Sequence, residues 1–185
     1  MHRSEELKQA YGLQQHREGG WFSEVYTAPF EKEQRPLAGS IYFLLDAGEI
    51  SHFHEIDCDE IWYFHEGCGM KITAFVKEDV PSNDTAGSKE QGILENMPSE
   101  QQKIPRKKVE FLLGKDISKG QRAMVVIPKD SIFAAENLDP DGFTFVSCAT
   151  TPQFTYEGFR LVYEKEIRDS YPECAEDVLY LAYKD

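Results

Sequence analysis

The sequence predicts an all-β fold, a β-sandwich or barrel with a short helix at each end. Runs rich in aromatic and β-branched residues recur at a spacing of roughly 8–12 residues, with turn residues between them. Helix-like patterns occur only near the two termini. The hydrophobic content of 41% is sufficient for a packed core, and a length of 185 residues suits one domain over 1–185.

The individual elements follow in chain order. Ser4 begins a short helix that Gly12 ends. A closing helix is predicted over 168–183, with Pro172 near its first turn. A tight turn at 56–59 joins two strands as a hairpin. The other strands are predicted at 21–26, 40–45, 71–76, 109–113, 123–127, 131–135, 143–149 and 159–164.

Residues 78–108 interrupt this strand pattern. The segment holds three prolines and almost no periodic apolar face. It is predicted to be a polar insertion on the surface of the domain.

Composition and charge exclude several classes of protein. A formal net charge of −13 is unfavourable for a nucleic-acid partner, which requires clustered Lys and Arg, and the one basic cluster, 103–108, is short. No apolar run approaches the roughly 20 residues that cross a bilayer, so no membrane partner is expected. The polar N-terminus is unlike a secretory signal, and four cysteines without a regular framework favour a reducing, cytoplasmic location.

The segment 48–67 carries the most promising chemistry. Because side chains alternate along a strand, His52 and His54 are expected on one face, and Glu60 on the facing strand of the predicted hairpin. Two imidazoles and a carboxylate aimed into one concave space suit metal binding, proton transfer or polar packing. The residues alone leave these three interpretations open.

Several neighbouring residues are candidates for the wall of a ligand pocket. Aromatic side chains on strand interiors more often form simple core, so both roles stay open for the aromatic members of the set. Glu18, in the run His16-Arg17-Glu18-Gly19-Gly20, is a carboxylate of either the surface or the pocket. The candidate ligand-binding residues are Ser51, His52, Trp62, Phe64 and Phe133.

Two motifs resemble those of the cupin superfamily. The first motif of that superfamily is matched by Gly48, His52, His54, Glu60 and Gly67. The second is matched by Gly120, Pro128 and Asn137, but Asp130 stands in place of a glycine and Phe133 in place of the histidine ligand. The runs at 16–26, 40–67 and 147–161 narrow the resemblance to the Cupin_5 family, also called DUF985.

The resemblance implies a fold, a partner and a set of possible functions. The family fold is a double-stranded β-helix, or jelly roll, that is usually a homodimer and is similar to sugar-nucleotide epimerases. By resemblance, the barrel interior binds a small polar ligand, such as a carbohydrate derivative. An epimerase or isomerase would use His54 as base, oriented by Glu60 or Asp59. A non-catalytic ligand-binding or sensory protein is the alternative.

The resemblance also raises the question of a cofactor. A divalent metal (Zn, Fe, Mn or Ni) would be held by His52, His54 and Glu60 as an incomplete set, because Phe133 cannot supply the fourth ligand. The alternative is that one histidine hydrogen-bonds Glu60 or Asp59 and no metal binds.

Overall fold

Two antiparallel β-sheets form the body of the protein. The computed structural model describes residues 2–77 and 105–184. Its strands are β1 Gln14–Gln15, β2 Trp21–Thr27, β3 Glu31–Lys32, β4 Arg35–Pro36, β5 Gly39–Leu45, β6 Ile50–Ile56, β7 Asp59–Gly67, β8 Met70–Lys77, β9 Arg106–Leu113, β10 Met124–Ile127, β11 Ile132–Asn137, β12 Thr144–Thr151 and β13 Phe159–Leu161. Its α-helices are α1 Arg3–Tyr11, α2 Glu164–Ser170 and α3 Ala175–Val178, with 3-10 turns at Ile117–Lys119, Tyr156–Gly158 and Leu179–Leu181.

The strand order is that of a jelly roll, which confirms the predicted fold class. One sheet has the order β1-β2-β5-β12-β7-β10 and the other the order β13-β6-β11-β8-β9. From β5 to β8 and again from β9 to β13, successive strands lie in different sheets, and short connections at 46–49, 57–58 and 68–69 carry the chain across between β5 and β8. The two inner faces enclose the space in which the candidate site lies.

Buried side chains fill three layers. The main core lies between the two sheets and includes Phe43 and Trp62 from one sheet and Ile72 and Phe133 from the other. A second cluster, with Phe53 at its centre, packs under α2 and α3 on the outside of the five-stranded sheet. A third packs α1 against the outside of the six-stranded sheet. The short helices thus cover the outer sheet faces.

The structure differs from the expected hairpin at 56–59. The strand β6 pairs with β11 and β13, whereas β7 pairs with β10 and β12. The turn at Asp57 and Cys58 therefore carries the chain from one sheet to the other instead of joining two partners. His54 and Glu60 consequently approach the interior from opposite walls of the barrel.

The C-terminal helix is shorter and more broken than expected. It begins at Glu164 and ends at Ser170, and a separate turn of helix begins at Ala175. Pro172 disfavours a helical conformation at the residue before it, so the helix stops there instead of starting. The N-terminal helix is confirmed, with Gly12 in the left-handed conformation at its C-cap.

The predicted insertion at 78–108 lies mostly outside the described residues, since 78–104 are not among them. Its last residues, from Arg106 onward, belong to β9, which begins earlier than the predicted strand at 109. In the part of the chain that the structure describes, no helix is long and apolar enough to cross a membrane.

Phe53 offers a test of the layer under the C-terminal helices. Its side chain is fully buried, so Phe53→Ala should lower the free energy of unfolding by about 3–5 kcal/mol. Phe30→Ala, at a side chain that is 74% exposed, is the matched control and should cost less than about 0.5 kcal/mol. Urea denaturation measures both, and equal losses would contradict the assignment of Phe53 to a buried layer.

Candidate functional site

A β-bulge in β6 decides which side chains enter the barrel. Phe133 on β11 is opposite His54, but Ala135, two residues on, is opposite Ser51, three residues back. The strand β6 therefore carries one extra residue, and the simple alternation of side chains is broken. Ser51 and His54 both point into the barrel, whereas Phe53 packs into the outer layer.

His52 is therefore not on the same face as His54, contrary to the sequence-based expectation. Its Nδ1 lies 3.2 Å from the carbonyl oxygen of Leu181, and its ring lies against Tyr183. Both partners belong to the C-terminal segment outside the five-stranded sheet. The expected face-sharing pair is wrong because the parity rule assumes a regular strand.

At the bulge, both backbone groups of His52 contact residues of the candidate site. The His52 N–H donates to the carbonyl oxygen of Glu18 at 2.8 Å. The His52 carbonyl oxygen lies 2.7 Å from Nδ1 of His54. Since a carbonyl can only accept, Nδ1 of His54 carries the proton, and Nε2 is the nitrogen left to exchange one.

Two glycines let the segment 16–20 approach β6 closely. Gly19 has φ +108°, and a Cβ there would lie 2.0 Å from the carbonyl oxygen of Ile50. Gly20 has φ +76°, and a Cβ there would lie 2.7 Å from the ring of Phe43. Only glycine combines this backbone conformation with this proximity. The glycine pair therefore lets Glu18 reach the barrel interior.

Glu18 is the carboxylate in contact with both inward-facing histidines. Its Oε2 lies 3.3 Å from Nδ1 of His16 and 3.3 Å from Nε2 of His54. Its Oε1 accepts a hydrogen bond from the hydroxyl of Ser51 at 2.8 Å. We call His16, Glu18 and His54 the His-Glu-His cluster.

Burial and charge oppose each other within this cluster. Burial acts to raise the pKa of Glu18, but His54, His16 and the Ser51 hydroxyl together hold that pKa below its usual value. Burial lowers the pKa of His54 by more than the attraction of Glu18 raises it. At neutral pH Glu18 is therefore ionised, while burial makes His54 a weaker proton acceptor than an exposed imidazole, so that a proton on its Nε2 is held chiefly by the charge of Glu18.

Glu60 approaches from the opposite wall and has different partners. Its Oε2 accepts a hydrogen bond from Nε1 of Trp62 at 2.9 Å, and the Cys148 thiol also contacts it. Burial and, secondarily, the charge of Glu18 raise the pKa of Glu60 from 4.5 to about 8. Glu60 is therefore a protonated carboxyl at neutral pH.

A partly enclosed cavity separates these two groups, and we call it the barrel cavity. The space in it that is open to water molecules is about 70 Å³. Since one water needs about 10–15 Å³ on this measure, the barrel cavity can hold several waters or a compact ligand. Its wall includes His16, Glu18, His54 and Glu60 together with the rings of Phe22, Phe154 and Tyr156.

Comparison with known proteins identifies the family. A family model described as Cupin_5, cupin superfamily (DUF985), matches residues 5–162. The chain belongs to the Cupin_5 family. No curated protein matches the sequence significantly.

Two solved structures have a fold similar to that of this chain over nearly all of its length. A protein from Shewanella oneidensis is 29% identical, with a TM-score of 0.80 and coverage of 100% of both chains. A hypothetical protein from Leishmania major is 23% identical, with a TM-score of 0.77 and coverage of 98% of this chain and 99% of the other. The second likeness concerns the fold alone.

The second cupin motif of this Cupin_5 protein departs from the usual pattern at two places. Asp130, in place of a glycine, has φ +59° and so keeps the left-handed conformation that glycine would supply. Phe133, in place of a histidine, is fully buried, and its ring centroid lies 4.1 Å from that of His54. An apolar ring therefore occupies the place of the fourth metal ligand.

The donor set expected for a metal does not converge. His52 faces away from the barrel, and Glu60 is held by Trp62. Among the described residues, no three His, Cys, Asp or Glu side chains are arranged as ligands of one ion. The set His52, His54 and Glu60 therefore does not fit a metal in this arrangement.

The structure brings His54 and Glu60 to the barrel cavity but places the expected ligand-binding residues behind its wall. Ser51 supports Glu18, and Trp62 supports Glu60. Phe64 and Phe133 belong to the core between the sheets. The expected orienting groups also differ: the carboxylate at His54 is Glu18, while Asp59 accepts from the backbone N–H of Lys129.

His16 was not among the expected site residues, and the sequence did not decide whether Glu18 lies on the surface or in the pocket. The signal was the Gly19-Gly20 pair directly after them, because adjacent glycines mark a place where backbone must pass close to other groups. Nothing in the local pattern identifies β6 as the element approached.

Gly19→Ala tests the close approach of this segment to β6. The new Cβ would collide with the Ile50 carbonyl, so the free energy of unfolding should fall by more than about 2 kcal/mol. Gly12→Ala is the matched control, since Gly12 also has positive φ but has nothing within 4 Å of its Cβ position. The control should lose only about 1 kcal/mol. Equal losses in urea denaturation would contradict the close approach.

Glu60→Gln tests the protonated carboxyl. Because the pKa of Glu60 rises from 4.5 to about 8 on folding, the stability it contributes is complete below pH 4.5 and is lost as pH rises through 8. The glutamine variant cannot ionise, so relative to wild type it should gain on the order of 3 kcal/mol between pH 5 and pH 9. Denaturation at a series of pH values measures the difference, and parallel profiles would show that Glu60 ionises normally.

Proposed function

We propose that this Cupin_5 protein is an isomerase or epimerase that moves a proton on a carbon beside a carbonyl group. The substrate is a small polar compound, such as a carbohydrate derivative, bound in the barrel cavity. The observation that carries the proposal is the pairing of an uncharged, carboxylate-supported His54 with the protonated Glu60 across one cavity.

The proposed first step is removal of the carbon-bound proton by His54. Nε2 accepts this proton, and the electron pair of the C–H bond moves into a new C=C bond as the carbonyl becomes an enol. The ionised Glu18, 3.3 Å from Nε2, stabilises the imidazolium that forms. The Nδ1–H bond to the His52 carbonyl fixes the orientation of the ring.

The proposed second group is Glu60, which gives its proton to the carbonyl oxygen as negative charge develops there. A carboxyl that keeps its proton up to about pH 8 can act in this way at neutral pH. For an isomer, the His54 imidazolium returns its proton to the former carbonyl carbon, while Glu60 takes the proton of the neighbouring hydroxyl, whose oxygen becomes the new carbonyl. For an epimer, a water in the barrel cavity protonates the opposite face of the carbon and Glu60 recovers its proton from the enol oxygen. His54 then passes its proton to the hydroxide that remains, so the cycle closes.

A decisive test is exchange of the carbon-bound proton with solvent. The protein is incubated in D₂O with free aldoses, ketoses and keto-deoxy sugars of five and six carbons, and ¹H NMR follows loss of the signal beside the carbonyl. His54→Ala and Glu60→Gln should each slow exchange by about 100-fold or more, because each removes one partner of the acid–base pair.

The matched control is His65→Ala. His65 lies on the exposed outer face of β7, with its Nε2 2.9 Å from the Ser147 hydroxyl, and should leave the exchange rate unchanged. Absence of exchange with every sugar, in a protein that still binds one of them, would overturn the catalytic proposal and leave the non-catalytic ligand-binding alternative.

A further inference from the structure

The charges around the barrel cavity restrict what it can bind. Its wall carries three carboxyl groups, from Glu18, Glu24 and Glu60, and the described residues that line it include no Lys or Arg. Glu60 is neutral, but Glu18 is ionised and nearly buried. An anionic group placed in this cavity would meet like charge without a cation to offset it, and enclosure by the barrel strengthens the repulsion.

The arginines near the cavity are held elsewhere. Arg35 donates two hydrogen bonds to Asp57, at 2.9 and 2.8 Å, and a third to the carbonyl oxygen of Gln153. Arg17 lies over the ring of Tyr156, 4.7 Å from its centroid, and borders a neighbouring surface cleft instead. Neither supplies the bidentate contact by which phosphate groups are usually held.

The apolar part of the cavity wall is formed largely by aromatic rings, which suit an uncharged ligand. The rings of Phe22, Phe154, Tyr156 and Phe159 surround His16 at centroid distances of 4.7 to 6.2 Å, and the first three also line the cavity. Aromatic faces of this kind pack against the C–H face of a sugar ring or a similar flat, uncharged molecule. The space open to water, about 70 Å³, suits one compact ring.

We infer that the barrel cavity takes a free, uncharged polyhydroxylated compound and rejects its phosphate esters and nucleotide conjugates. The inference rests on the proposed function for the site and narrows its substrate class. It separates this chain from the sugar-nucleotide epimerases to which its family is similar, because a nucleotide conjugate carries a diphosphate that needs cations.

Saturation-transfer difference NMR tests this selection directly. The probes are D-glucose, D-galactose, D-mannose, D-fructose and L-rhamnose, each beside its phosphate ester, together with UDP-glucose and dTDP-L-rhamnose. At least one free sugar should bind, and its phosphate ester should bind at least tenfold more weakly. The inference is overturned if no free sugar binds, or if any ester or nucleotide conjugate binds as tightly as its free sugar.

Reversing one charge at the cavity mouth should strengthen the binding of phosphate esters, which the wild-type cavity is expected to reject. Glu24 is exposed and lines the cavity, so Glu24→Lys should improve binding of the phosphate esters about fivefold at low salt and lose that gain at high salt. Glu176→Lys changes the net charge equally, at a side chain 90% exposed on α3, and should change nothing. An equal gain in both variants, or none in Glu24→Lys, would contradict local charge selection.

These experiments distinguish failure of the catalytic proposal from failure of the inference about charge selection. Glu60→Gln removes the proton donor but adds no charge, so it should lose proton exchange and keep the preference for free sugars. Preference for free sugars without proton exchange in wild type would overturn the catalytic proposal alone. Proton exchange with tight binding of phosphate esters would overturn the charge selection alone, and loss of that binding in Arg17→Ala would show which cation supplies it.

Discussion

The extra residue in β6 is the constraint on which the candidate site depends. A regular strand would put His52 and His54 on one face and send Ser51 and Phe53 to the other. The bulge instead sends Ser51 and His54 inward, so that Glu18 is held from two sides. It also turns Phe53 into the outer layer, where its burial anchors the C-terminal helices to the same strand. One local irregularity thereby serves both the interior and the exterior of the barrel.

The bulge would be costly if its freed backbone groups had no partners. The His52 N–H is satisfied by the Glu18 carbonyl, and the His52 carbonyl by the imidazole of His54. The segment that carries Glu18 can reach this position only because Gly19 leaves room for the Ile50 carbonyl. Glycine, bulge and histidine orientation are therefore consequences of one packing arrangement, not three separate features.

Two carboxyl groups in one cavity differ in charge because their partners differ. Glu18 receives a hydroxyl donor and lies beside two imidazoles, which favour its ionised form. Glu60 receives an indole N–H and a thiol, both uncharged, and these do not offset its burial and the nearby charge of Glu18. Two like charges in a small enclosed space are unfavourable, so the better-supported carboxylate stays ionised and the other keeps its proton.

Local patterns were sufficient for the longer strands but not for the pairing of strands, and they missed the two-residue strands β1, β3 and β4 and placed the end of β13 at 164, where α2 begins. Alternation does hold for Glu60 and Trp62, which share the inner face of β7 because that strand is regular there. The hairpin at 56–59 was wrong because a two-residue turn can join either partners or strands of different sheets, and only long-range pairing decides between them. The bulge is likewise defined by β11, about 80 residues away in the chain, so no pattern within β6 could reveal it.

The replacement of the second-motif histidine by Phe133 links packing to the proposed chemistry. The Phe133 ring lies against His54 on one side, and Phe159 lies against it on another, with centroids at 4.1 and 5.7 Å. These apolar neighbours remove water from the imidazole, and this burial is the largest cause of its lowered pKa. A histidine at this position would have offered a donor for a metal, whereas the apolar phenylalanine ring favours the uncharged form of His54. The departure from the usual cupin motif thus favours a neutral base supported by Glu18, which is the state that proton abstraction requires.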